Sequence, residues 1–276
     1  MNLDHLKKKY LEKGFCHFKI LSDQESEKYS KFVNKRFEES AANNNKVKTG
    51  LNNYPEFWNL INKRELIEVI EFILKKKIFY LYHSTIMQTY NDNHYQYHRD
   101  NPCRRFGVGP DWDKTEEFNI MRVGIYFDKF EETNFRLNLI PYSHKKKISW
   151  REIIRFFHRK LVKKGFQNKI THFLPKIIGE EIKVNQGTCI LFDPRIYHSP
   201  SPHVGIRRAA FLAYGDANFH SNNYVNYFTN LRKDDHDGID VDTLVKQNEF
   251  LNFLKENNIF FPISKDNKKI EGAFIN

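Results

Sequence analysis

The chain predicts a mainly β domain, a sandwich or barrel with helices on its outside. Three observations carry that prediction. Between Ile78 and Gly215, short runs rich in Tyr, Thr, Ile and Phe alternate with Asn, Asp, Gly and Pro, the signature of strands and turns. The segments before and after them repeat apolar residues at helical spacing. With 276 residues, 25 Phe and 14 Tyr, the chain can bury one large core.

The first 40 residues read as helix, then the short strand FCHFKI, then a second helix. That helix opens at Ser22 with Glu25 three residues later, a capping box. PEFWNLINKRELIEVIEFILKK (55–76) reads as a helix that packs one face on the core. The strand signals then follow in IFYLYHSTIMQTY, HYQYH, FNIMRVGIYFD, FRLNLIPYSH, GTCILFDPRIYH and RRAAFLAYG. Residues 145–176 interrupt the series with eleven Lys or Arg against one acid, Glu152. Trp150, Ile153, Ile154, Phe157 and Leu161 recur there at helical spacing, so the stretch reads as a basic amphipathic insertion. Its apolar stripe either packs on the barrel, or meets a membrane surface or a carrier-linked substrate. The expected division is a domain over 1–215 and a helical C-terminal extension, 216–276, packed on the same domain. DDHDGIDVDTL (234–244) is not a calcium loop. With Gly238 sixth, Lys233 and Leu244 would stand at the first and twelfth positions, where oxygen ligands are required.

Forty-five Lys and Arg against 34 Asp and Glu give a formal charge of +11, which favours anionic partners. No apolar run approaches a membrane span, and no apolar core follows the N-terminal lysines. Cys16, Cys103 and Cys189 are few, odd in number and widely spaced. They suit reduced thiols, so a cytoplasmic location is expected.

The chemistry centres on YQYHRDNP (95–102), where His98 and Asp100 stand one residue apart. On a strand, i and i+2 share a face and could chelate one ion together. His94 and His98 would share a helix face instead, but no Glu follows His94 and the surroundings read as strand. A third ligand is available in GTCILFDPRIYHSPSPHVGIRRAAF, where an apolar strand ends in a Pro turn that delivers His198. Two histidines and one carboxylate on one face of an octahedral ion leave three positions open, as in non-heme iron(II) oxygenases. A 2-oxoacid cosubstrate would need a planar cation for its far carboxylate, and Arg207 or Arg208 could supply it. Alternation lets only one of the two point inward.

These residues, with the motifs around them, resemble the phytanoyl-CoA dioxygenase family of iron(II)/2-oxoglutarate-dependent oxygenases. The resemblance rests on YLEKGFCHFKI, YHRD, NFRLNLIPYSHK and GTCILFDPRIYHSPSPHVGIRRA in that order, across roughly residues 7–215. It implies a double-stranded β-helix (jelly roll, cupin-like) and an oxidoreductase that uses Fe(II), 2-oxoglutarate as cosubstrate and O2. His98, Asp100 and His198 become the metal ligands and catalytic centre, and Arg207 the 2-oxoglutarate fork. Gln88 and Thr85 are candidates to hydrogen-bond the cosubstrate, and Ser199 or Ser201 to support its far carboxylate. Arg104, Arg105 and Arg122 could meet an anionic substrate. Halogenases of the family carry Ala or Gly where this chain has Asp100. The carboxylate therefore implies hydroxylation, or a related oxidation such as desaturation or epimerisation, of a small anionic or carrier-linked metabolite. Two departures stand out: the loop from His198 to Arg207 is about two residues shorter than usual, and Tyr142 replaces the glycine before Ser-His. Rival readings are a base-oxidising nucleic-acid enzyme, a jelly-roll metal enzyme without 2-oxoglutarate, and a jelly-roll binding protein. Nucleic acid is not an expected partner, because the final strand lacks a second spaced arginine and no aromatic-basic module is present.

Overall fold

Residues 1–39, 46–92, 95, 97–105, 107–163, 169–232, 239–264 and 269–274 are described by a computed structural model. The capping box forms as the sequence predicts: Ser22 N–H donates to Glu25 Oε2 at 2.8 Å, and Glu25 N–H to Ser22 Oγ at 3.2 Å. It starts helix α2 (Asp23–Glu39), which follows α1 (Leu3–Lys13) and strand β1 (Phe15–Lys19). The single helix expected over 55–76 is instead a 3-10 turn, a short α3 (Trp58–Ile61) and α4 (Arg64–Leu74). Lys63 makes the break: it adopts an extended conformation ahead of α4, and its Nζ meets Glu25 at 3.0 Å.

Nine further strands follow: β2 (Lys46–Thr49), β3 (Phe79–Tyr80), β4 (Thr85–Asp92), β5 (Ile120–Tyr126), β6 (Arg136–Leu139), β7 (Glu180–Lys183), β8 (Thr188–Phe192), β9 (His198–Pro200) and β10 (His203–Gly215). The large antiparallel sheet runs β1-β8-β5-β10-β4-β2, with β3 also on β10, and the small sheet runs β7-β6-β9. Aromatic and aliphatic side chains from both sheets, among them Tyr126, Phe135, Leu137, Ile182, Phe192 and Ala209, form one apolar cluster. This is the double-stranded β-helix expected from the sequence. β5 is buried along its whole length, since the second core lies on the other side of the large sheet. The C-terminal helices α9 (Phe219–Asn226), α10 (Val241–Lys246) and α11 (Asn248–Glu256) belong to this second core through Tyr224, Leu244, Phe250 and Leu254. Short helices α5 (Pro110–Asp113) and α6 (Phe130–Thr133) fill the loops around β5. Residues 233–238 and His94 lie outside the described residues.

Tyr142, standing where a glycine is usual, sits at φ +67°, the left-handed region that favours glycine. The following Ser143 and His144 are structural. Ser143 Oγ accepts Tyr197 N–H at 2.8 Å and donates to Ile140 O at 2.8 Å, which holds the turn before His198. His144 lies so close to Gly14 that a Cβ there would meet its Nδ1 at 2.4 Å.

The basic insertion forms α7 (Trp150–Lys163) and α8 (Lys169–Ile178). Its apolar stripe is divided: Trp150, Ile153 and Phe157 are exposed, whereas Ile154 packs with Ile140, Ile178 and Tyr197, and Leu161 is half-buried. Among the described residues the buried side chains of α7 are Glu152, Arg155 and His158. The reason lies underneath. Arg99 is wholly buried, and Glu152 supplies its counter-charge at 3.1 Å. The Arg99 and Arg155 guanidinium groups lie 3.7 and 3.6 Å from the centre of the Tyr197 ring. The His158 ring stands edge-on to Tyr97. A charged face flanked by Ile154 therefore turns inward and leaves Trp150, Ile153, Phe156 and Phe157 outside.

Candidate metal and cosubstrate site

His98 does not lie on a strand, as HYQYH predicts. It pairs with His198 in a single antiparallel bridge, each backbone N–H donating to the other's carbonyl at 3.1 Å. Beyond it, the amides of Asp100 and Asn101 both turn onto the Pro194 carbonyl, which ends the pairing. The bridge sets the two imidazoles side by side with ring centres 4.3 Å apart. Asp100 projects between them, Oδ1 at 3.5 Å from His98 Nε2 and Oδ2 at 3.6 Å from His198 Nε2. Each of the three residues offers one ligand atom, and these atoms all lie within 4.8 Å of one another. Donors in adjacent positions, each about 2.1 Å from an ion, would stand about 3 Å apart. The set is therefore slightly open but of the right size.

Its electrostatics suit a cation. Burial raises the Asp100 carboxyl, but His198, His98 and Arg122 outweigh it and hold the group well below the usual carboxylate range. Burial, with His98 beside it, pushes His198 down to about 4, so its imidazole is neutral at physiological pH. His198 Nδ1 lies 3.2 Å from the Ile196 carbonyl, which can only accept a proton, so Nε2 keeps its lone pair toward Asp100. Behind the carboxylate, Arg122 Nε stands 3.4 Å from Asp100 Oδ2. Its Nη1 donates to the His83 carbonyl at 2.5 Å, and His83 Nδ1 meets Tyr224 Oη at 2.6 Å. Arg122 is thus tied to Asp100 rather than offered outward to a substrate. Of the other arginines, Arg104 is half-buried over the Phe274 ring and Arg105 is exposed.

The register of β10 separates the two candidate forks. Arg207 pairs with Thr89 and Arg208 with Gln88, so Arg207 and Thr89 share one face of the sheet, Arg208 and Gln88 the other. Arg207 is buried, with its Nε 3.1 Å from Thr89 Oγ1 and its guanidinium 4.3 Å from the Phe135 ring centre. Arg208 ion-pairs with Asp128 and donates to Asn34 Oδ1 at 2.6 Å. Gln88, expected beside the cosubstrate, is therefore on the face opposite Arg207, where it donates to Tyr90 Oη. Thr85 shares the Arg207 face, four residues from Thr89 and opposite Phe211. Ser199 pairs with Asn138, one step out of phase with His198, and its hydroxyl donates to the Pro200 carbonyl. Ser201 Oγ accepts the Arg136 amide at 2.9 Å, a strand-end contact.

Sequence reasoning missed Tyr126 and Thr89. Tyr126 lines a small cleft together with Phe135, Val184, Arg207 and the Arg208–Asp128 pair, and among the described residues its buried hydroxyl has no hydrogen-bond partner. A buried orphan hydroxyl beside a buried guanidinium fits an acidic ligand group. RVGIYFD carried the signal, since alternation puts Tyr126 on the face of Arg122, but nothing in the sequence sets it beside Arg207.

The fold is shared with solved structures. HygX from Streptomyces hygroscopicus, solved with nickel, 2-oxoglutarate and hygromycin B, is 15% identical, with 79% of this chain and 88% of that one covered and a TM-score of 0.56. The epimerase SnoN from nogalamycin biosynthesis, in complex with Fe3+, alpha ketoglutarate and nogalamycin RO, is 13% identical over 78% and 84% of the chains, TM-score 0.53. EctD from S. alaskensis is 15% identical over 77% and 76%, TM-score 0.52. At these identities the likeness is one of fold. No curated protein sequence matches the chain. The phytanoyl-CoA dioxygenase profile, however, matches residues 22–209, more than half of the 276. The chain belongs to the phytanoyl-CoA dioxygenase family of iron(II)/2-oxoglutarate-dependent oxygenases.

Proposed function

We propose that the chain hydroxylates an unactivated C–H bond of a small anionic or carrier-linked metabolite. In this reading His98, Asp100 and His198 hold the iron, and Arg207 anchors the far carboxylate of 2-oxoglutarate. The single observation that carries it is the convergence of the three ligand atoms within 4.8 Å. The bound iron with 2-oxoglutarate supplies the oxidising power: R–H, O2 and 2-oxoglutarate become R–OH, succinate and CO2.

The chain's own residues bind, orient and dry the site. The Ile196 carbonyl fixes the His198 tautomer, and Arg122 keeps Asp100 ionised and aimed. The Tyr126 hydroxyl and Thr89 complete the carboxylate cradle with Arg207. Phe192, packed on the His198 ring, and Phe135, packed on Arg207, exclude water from one side. The His98 side chain is 48% exposed, which makes its edge the open side for substrate. A carboxylate at Asp100 favours hydroxylation over halogenation, and the +11 charge favours an anionic substrate. Three buried, free cysteines suit a reducing cytoplasm.

The test is anaerobic titration of the iron(II)-loaded protein with 2-oxoglutarate. A visible metal-to-ligand charge-transfer band should appear, and His98→Ala and His198→Ala should both lose iron and band. His144→Ala, at a side chain that lies against Gly14 and outside the donor cluster, should keep both. A full band in His198→Ala would overturn the ligand set.

A further inference from the structure

We propose that the outer face of α7 and α8 is a docking surface for an anionic lipid bilayer. Single exposed apolar residues are ordinary, but clusters are not. Among the described residues, seven of the fourteen large exposed apolar side chains fall within 148–177. Trp150, Ile153, Phe156 and Phe157 on α7, with Phe173 and Ile177 on α8, are each between 42% and 60% exposed. Helices on a globular surface normally bury such a stripe. Here α7 buries Glu152, Arg155 and His158, with Ile154 half-buried beside them, so the outer apolar side chains are left uncovered by the described residues.

Charge selects the occupant. Lys145, Lys147, Arg159, Lys160 and Lys176 are exposed on these helices or just ahead of them. Two cations stand over its rings: Lys160 Nζ is 4.5 Å from the centre of Phe156, and the Arg151 guanidinium 5.3 Å from that of Trp150. Within 145–176 the sole acid is Glu152, and it is turned inward onto Arg99. Outside it, Asp113 pairs with Lys146 at 3.1 Å. A second copy of this chain would bring cations against cations. An anionic bilayer offers phosphates to the Lys and Arg heads and acyl chains to the Trp and Phe rings. Lysine stems lying along the apolar surface, heads outward, fit the same boundary.

The inference does not depend on the iron chemistry, and its test reads no turnover. The full chain is mixed with vesicles of phosphatidylcholine alone, or of equal parts phosphatidylcholine and phosphatidylglycerol, and sedimented. Binding to the anionic vesicles only, weakened by salt, is expected. Trp150 emission should shift to the blue on binding, and this shift should be absent from Trp150→Phe. Phe156→Gln with Phe157→Gln should lower vesicle affinity at least about tenfold, with thermal stability unchanged because both rings are already exposed. Lys145→Gln, Lys147→Gln and Lys160→Gln together should abolish the preference for anionic lipid. Wild-type protein left in the supernatant with both vesicle types would overturn the proposal. So would equal binding to neutral vesicles, unchanged binding by the Phe double variant, or a dimer that the double variant abolishes while vesicles stay unbound. Capture of an acidic protein by this face without vesicle binding would also refute it.

Discussion

Arg122 and Asp100 are ion-paired at 3.4 Å, both largely buried, so the acid between the two histidines has a permanent cation behind it. Groups that orient a metal ligand in this way typically contribute 10- to 100-fold to metal affinity. Arg122→Met is therefore expected to weaken iron(II) binding by about that factor, measured by competition with a chelator. Arg122→Lys should recover part of it. Unchanged affinity in Arg122→Met would mean that Asp100 is held by its backbone alone.

Arg207 and Arg208 are adjacent in sequence and should fail in different assays. In the proposed reading, Arg207→Ala removes the buried donor that meets the far carboxylate of 2-oxoglutarate, a loss of about 2–5 kcal/mol. The 2-oxoglutarate concentration needed for the charge-transfer band should rise accordingly. Arg208→Ala leaves Asp128 buried without its cation, which costs about 3–5 kcal/mol of folding stability, read in urea. Its 2-oxoglutarate requirement should stay near wild type. The opposite pairing of phenotypes would show that β10 is shifted by one residue.

Glu152 connects the insertion to the candidate site, because its partner Arg99 lies between His98 and Asp100 in the chain. Arg99 also donates to the Arg195 and Ser143 carbonyls. Glu152→Ala strands a buried guanidinium and should destabilise the fold by about 3–5 kcal/mol. It should also loosen iron(II) binding, whereas Glu152→Gln, which keeps an acceptor, should lose less of both. Iron affinity insensitive to either change would mean that Arg99 is fixed by the two carbonyls.

Asp111 gives a pH dependence away from the metal ligands. Burial raises its carboxyl against the opposing pull of the Cys103 amide, Asn101 and His220. A folded-state pKa above the unfolded one means that the folded state binds the proton more tightly. Its contribution to stability therefore falls as pH rises from the ordinary carboxylate range through the folded value. Asp111→Asn can still accept from the Cys103 amide and Asn101 through Oδ1, and should flatten that part of the curve. Urea unfolding from pH 4 upward checks this, and an unchanged slope in the variant would assign it to another group.

Much of this was legible locally. The capping box at Ser22, the strand runs and the inward turn of one arginine only follow from periodicity and side-chain chemistry over a few residues. His98, Asp100 and His198 were recognisable because a facial ligand set needs few residue types in a short pattern. The separation of Gln88 from Arg207 onto opposite faces was not legible, since it depends on the register of β4 against β10, which a single strand does not encode. Tyr126 was missed because its hydroxyl gains meaning only beside Arg207, 81 positions away in the chain.

The sequence by itself determined the β-rich core, the short list of candidate donor residues and the basic character of the insertion, all properties of composition and short-range spacing. The tertiary structure alone decided which way the insertion faces. Periodicity defines a polar and an apolar side of α7 but does not say which side meets the barrel. The buried Arg99 guanidinium decides it, because a charge removed from water requires a counter-charge. Glu152 is the acid that α7 offers, and its inward turn leaves Trp150 and Phe157 in solvent.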